Sequence, residues 1–287
     1  MQFADPKNDL AFKKIFGDKS KSDTLIGFLN AILDLPAPIK TITILSPYQV
    51  PQVDELKNSL LDVKAVDANG REFIVEMQVE PDDCFGKRAI YYTAKSYVNQ
   101  IKVAEKYKTL KPVIFLGILD FKLFDGTDPI TRHIIINQEA NRQDLKDLEF
   151  NFIELKKFNK REDELVTIVD KWLYFFNEAD NLDVIPKNIH NQPLKDAYET
   201  AATYNWTAEE LDIYDKIGLR KGSAKNAQAY LIKQAKNEGI EQGIEQGIEQ
   251  GQHDIIISMA SNGMTIQQIA QITGKPEQLI ETILSKQ

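Results

Sequence analysis

LDVKAVDANGREFIVEMQ, residues 61–78, holds two β-strands and the turn between them: Leu61–Asp67, then Ala68-Asn69-Gly70, then Arg71–Val79. The second strand alternates, with Phe73, Val75, Met77 and Val79 on one face and Ile74, Glu76, Gln78 and Glu80 on the other. On the first strand Asp62 and Lys64 are also spaced by two. Whether these polar groups meet depends on register. A two-residue turn at Asn69-Gly70 pairs Asp62 with Met77 and sends the two carboxylates to opposite faces. A three-residue loop with Gly70 left-handed pairs Asp67 with Arg71 and Asp62 with Glu76, and this is the register expected here.

That register sets two carboxylates side by side, flanked by Gln78 and Lys64. Like charges opposite each other on paired strands are destabilising, and a divalent cation relieves them. Hard oxygen donors suit Mg²⁺ or Mn²⁺, which keep several waters and meet phosphate. Asp62 followed after the hairpin by Glu76-x-Gln78 resembles the PD-(D/E)xK nuclease signature with Gln in place of the last Lys. The wording around it, LDVKA, EMQ and FxxRxxYY at Phe85–Tyr92, resembles the Rpn family of recombination-promoting, transposase-like nucleases over the first half of the chain. The resemblance implies an α/β, restriction-endonuclease-like core and a Mg²⁺-dependent DNA endonuclease active in DNA recombination. Asp62 and Glu76 would hold the metal, the Met77 main-chain carbonyl would add a ligand, and Gln78 would orient the attacking water. A neutral amide cannot stabilise hydroxide by charge; Lys64, one pair away, is the residue expected to supply it.

Composition narrows the alternatives. At 287 residues, 43% hydrophobic and 27% charged, the chain is an ordinary globular protein with room for one sizeable core and smaller parts. It has no apolar stretch of about eighteen residues and no signal-peptide pattern at MQFADPKNDL, which points to a cytoplasmic protein with no membrane partner. The single cysteine, Cys84, rules out an internal disulfide and a Cys-based zinc site. His133, His190 and His253 lie far apart in sequence, giving no support to histidine-centred catalysis. A net charge of −8 argues against a general nucleic-acid coat, so a nuclease needs a local basic path.

Such a path is expected after the hairpin. Pro6–Phe16 and Ser22–Leu33 are expected as lead-in helices, with Asp9 able to approach the metal, and Ile39–Val53 as a first strand ending at Pro51. Asp83–Lys111 is expected as one long helix, packing Ile90, Ala94, Tyr97, Ile101 and Ala104 on the sheet. Arg88, Tyr92, Lys95, Asn99, Lys102 and Lys106 then form the opposite face. Seven basic residues against two acidic ones make this segment +5 and a candidate DNA track. Val113–Phe121, VIFLGILDF, reads as a central strand buried on both faces. Ile130–Asn137 and Leu148–Leu155 are strands nearer the edge.

Beyond Arg161 the chain turns helical, with an apolar stripe of Leu165, Ile168, Val169, Trp172, Leu173 and Phe176, then helices near Leu194–Tyr204 and Ala208–Gly218. GIEQGIEQGIEQGQ, residues 239–252, is either a helix whose Gly239, Gly243, Gly247 and Gly251 stripe allows close packing, or a flexible linker. Three small helices follow, the first at Asp254–Ala260, the second capped at Thr265 and the third opening at Pro276 after Gly274. They resemble a degenerate helix-turn-helix with only Lys275 and Lys286 at its margins, which favours protein contact over base reading. The expected division is a nuclease-like domain at 1–157, a helical support at 158–235, the repeat at 236–252 and a three-helix tail at 253–287. The expected function is a DNA endonuclease that self-associates through the Gly239–Gln252 tract or the C-terminal helices. The alternative is a nuclease-fold protein without turnover that works as an assembly module through its helical tail.

Overall fold

The computed structural model describes residues 2–45, 48–49, 59–102 and 104–285, with backbone alone at 48–49, 59–60, 220–232, 235, 237–238, 241 and 245. Two helices, α1 (Asp9–Phe16) and α2 (Ser22–Ile32), lead into the strands β1 (Ile42–Ile44), β2 (Tyr48–Gln49), β3 (Ser59–Leu60), β4 (Val63–Asp67) and β5 (Glu72–Gln78). The rest of the strand expected over Ile39–Val53, with its end at Pro51, lies outside the described residues. Helix α3 (Phe85–Val98) precedes β6 (Val113–Leu119), β7 (Ile130–Ile134) and β8 (Leu148–Glu154); then come α4 (Ile168–Glu178), α5 (Gln192–Ala201), α6 (Ala208–Ser261), α7 (Ile266–Thr273) and α8 (Glu277–Leu284). Six strands form one mixed sheet in the order β1-β4-β5-β6-β8-β7. β5, β6 and β8 run parallel in its middle, and the other pairs are antiparallel. This is the α/β core expected, followed in the chain by a helical C-terminal region.

The sheet is covered on both faces. On one, α1, α2, α4 and α5 bury Phe12, Phe16, Phe28, Trp172, Phe176 and Tyr198 against Phe73, Val75 and Met77. On the other, α3 lays Phe85 and Ala89 over Ile74, Phe115 and Phe152. β6 is buried along its whole length, as its unbroken apolar run requires. Gly117 in β6 lets α3 come this close, because a Cβ there would stand 3.0 Å from the Phe85 ring and 3.1 Å from that of Phe152. Thr167 caps α4, its hydroxyl accepting from Asp170 N while the Asp170 carboxylate accepts from Thr167 N.

Helix α3 departs from expectation in two ways. It ends at Val98, so Lys102 and Lys106 lie beyond it in the following loop, where Ala104 has φ +73°. Its buried face is Phe85, Ala89, Thr93 and Ser96, while Ile90 and Val98 are each 58% exposed. Small residues win the sheet-facing side because the helix sits close. Their hydroxyls are satisfied there, Thr93 by the Ala89 carbonyl and Ser96 by Glu72.

The chain divides into two compact units, Met1–Gly218 and Leu219–Gln287. The second has its own small core of Ile256, Ile269, Ile280 and Ile283. Asp254–Ala260, expected as a separate helix, is the end of α6, and the Gly239–Gln252 tract is helical within it. Thr265 caps α7 with a reciprocal bond from Gln268, and left-handed Gly274 ends it. Lys286 lies outside the described residues.

Candidate active site

The hairpin register follows from its loop. Asp67 Oδ1 accepts from Asn69 N and Arg71 N, both at 2.9 Å, and Oδ2 from Arg71 Nε at 2.7 Å. Gly70, at φ +81°, supplies the left-handed residue. Val63 then faces Val75 and Lys64 faces Ile74, so the same register carries Asp62 to Glu76. β4, however, begins only at Val63, and the strand ladder stops short of Asp62. Side chains complete it. Met77 N donates to Asp62 Oδ2 at 2.8 Å, and Asp62 N donates to Glu76 Oε1 at 3.2 Å. Each carboxylate is thus held by the other strand's backbone. The Met77 carbonyl, on the same edge as its N–H, faces the gap where β4 has ended.

Both acids are short of water. Glu76 is 7% exposed, and burial, then the neighbouring Asp62 carboxylate, push its pKa up to about 8. Burial also raises Asp62, against the Met77 N–H and the Lys13 ammonium, which lower it; Asp9 on α1 is near enough to add a raising effect. Two desolvated hard-oxygen acids, with only the half-exposed Lys13 ammonium against Asp62, form a donor set short of positive charge, which fits a divalent cation that keeps much of its water. No larger cluster of three or more His, Cys, Asp or Glu suited to a metal occurs among the described residues.

Of the residues singled out by sequence, the structure brings Asp62, Glu76, Met77, Gln78, Arg88 and Tyr92 to one end of β5. Arg88 Nη2 donates to Gln78 Oε1 at 2.6 Å, while Gln78 Nε2 donates to the Glu80 carbonyl at 3.0 Å. Both carboxylates act on the Tyr92 phenol, whose pKa is raised chiefly by burial. Lys64 is not brought there. It is ion-paired with Glu72 at 3.0 Å, near the start of β5. Helix α3 runs back along β5, from Arg88 beside Gln78 to Ser96 beside Glu72, with Lys95 and the cap residue Asn99 toward its far end. Lys106 belongs to an open cleft of about 610 Å³ at that far end, shared with Gly70, Glu72, Lys108 and Lys111. Sequence reasoning passed over Lys13, whose Nζ lies 3.7 Å from Asp62 Oδ1. The one signal for it was its place a helical turn after Asp9.

Among the described residues no helix is long and apolar enough to cross a membrane. No curated protein and no solved structure matches the chain. A family model described as PD-(D/E)XK nuclease family transposase matches residues 6–225, a span that contains the hairpin, the whole sheet and the helices on both its faces. The chain therefore belongs to the PD-(D/E)XK nuclease family transposases.

Proposed function

We propose that this protein is a metal-dependent DNA endonuclease that hydrolyses phosphodiester bonds at the Asp62–Glu76 end of β5. The observation that carries this reading is the pair of desolvated, adjacent carboxylates fixed by the amides of Asp62 and Met77. Asp62, Glu76 and the Met77 carbonyl would hold Mg²⁺ or Mn²⁺. When bound, the ion polarises the scissile phosphate and makes a water acidic enough to attack near neutral pH. Glu76 would serve as a ligand in its carboxylate form, its proton passing to solvent. Arg88 fixes the carbonyl end of the Gln78 amide, leaving one amide hydrogen, beyond that given to Glu80, to orient the water. Arg88, Tyr92, Lys95, Asn99, Lys102 and Lys106 would follow the DNA backbone from the carboxylates past the end of α3.

The test is nicking of supercoiled plasmid by the full chain with Mg²⁺ or with chelator. Wild type should nick only with metal, and Asp62→Asn and Glu76→Gln should each abolish it while keeping the wild-type circular dichroism spectrum. Metal-independent nicking, or full activity in either variant, would overturn the proposal.

A further inference from the structure

Gln78 carries no charge, and the centre proposed above must accommodate a phosphate beside two carboxylates. Gln78 must be helped by a cation, and most of those on or around β5 and β6 are neutralised by a partner or, like Lys64, stand at the far end of β5. Lys64 is 12% exposed and held by Glu72 at 3.0 Å. Arg88 is held by Asp82 at 3.1 Å and spends a second nitrogen on Gln78. Lys156 pairs with Asp120 at 2.9 Å, and Lys7 lies between Asp5 and Asp120 at 3.9 and 4.0 Å. Lys13 differs. Its ammonium faces a site carboxylate, 3.7 Å from Asp62 Oδ1, and its side chain is 43% exposed. Its backbone is fixed, because α1 buries Ala11, Phe12, Ile15 and Phe16 in the main core. The helix therefore delivers a long, half-exposed cation to the mouth of the site from a well-packed base.

We propose that Lys13 is a catalytic residue of this nuclease: its ammonium balances Asp62 before the metal binds, then pairs with an anionic oxygen at the scissile phosphate, the charge role Gln78 cannot fill. The assignment rests on the nuclease reading above. A bland ion pair on a half-exposed lysine would contribute little and would leave turnover alone. The test uses the full chain with Lys13→Met and Lys13→Arg, both checked by circular dichroism. Mg²⁺ affinity is measured by calorimetry without DNA, and single-turnover plasmid nicking with protein in excess. Lys13→Met should bind Mg²⁺ several-fold more tightly, since a competing cation has gone, yet nick about 100-fold more slowly, the usual loss of one charge-stabilising donor. Lys13→Arg should recover most of the rate. Wild-type nicking by Lys13→Met, a loss that disappears as protein concentration is raised, or an unchanged Mg²⁺ affinity would each overturn the assignment. An inert wild type would overturn the nuclease reading as well, and is told apart because failure of Lys13 alone leaves wild-type nicking intact.

Discussion

Glu76→Gln offers a direct measure of the strain at the carboxylate pair. In the folded chain Glu76 titrates near 8, against an ordinary value of 4.5. Between those values the folded state keeps a proton that the unfolded state has lost. Stability therefore falls as pH rises through this window and is fully present only below about 4.5. At 1.36 kcal/mol per pKa unit the full effect is on the order of 5 kcal/mol, and local relaxation with an effective dielectric near 20 brings it to about 2–3. For a unit of the size of Met1–Gly218 this is a melting shift of roughly 5–10 °C. Glutamine keeps an oxygen for the Asp62 N–H and never ionises. In chelator the two proteins should melt together at pH 5, and the variant should melt higher by that margin at pH 8.5. Mg²⁺ at pH 8.5 should raise the wild type and leave the variant nearly unmoved. A difference between the two that stays constant from pH 5 to 8.5 would refute the buried-pair argument.

Three further outcomes are expected. Gly117→Ala should destabilise the chain by about 1–3 kcal/mol in urea denaturation, because its Cβ meets the Phe85, Phe152 and Phe115 rings at 3.0–3.2 Å. Replacing Gly239, Gly243, Gly247 and Gly251 together by alanine should raise helix stability by about 1 kcal/mol per site, read from the melting of the helical circular dichroism signal, since a Cβ at each meets nothing within 4 Å. Replacing Lys95 and Lys102 by glutamine should lower the salt slope of DNA binding by about 1.8 and leave the melting temperature within about 1 °C, as measured by fluorescence anisotropy across a salt series.

The hairpin was legible in the sequence because the loop chemistry is local. Gly70 and Asp67 set the register within five residues, and Asp62 and Glu76 follow from counting. β6 was legible because a strand buried on both faces must be apolar throughout. The buried side of α3 was not. Periodicity pointed to Ile90 and Ala94, whereas closeness to the sheet selected Thr93, whose hydroxyl bonds back to the Ala89 carbonyl, and Ser96, whose partner Glu72 meets it only in the folded chain. The partner of Lys64 was hidden for a related reason: the alternation that placed it beside Glu76 fits Glu72 equally well, and the ion pair forms with the latter. Lys13 and Asp62 are 49 positions apart, and only the place of Lys13 one helical turn after Asp9 hinted that they meet.

One oxygen of Asp62 serves as a piece of the sheet, standing in for the strand partner that Met77 lacks. A residue that only touched substrate could drift freely once its chemistry was no longer selected. Here, removal strips a hydrogen bond from a residue that is 7% exposed, at a cost of about 1–3 kcal/mol. Decay of activity in a lineage of such chains would be channelled through asparagine at this position, whose side-chain oxygen can still accept the bond, before alanine. Descendants that had stopped cutting would keep a near-copy of the site for architectural reasons alone, and a resemblance at position 62 would outlive the reaction it once served.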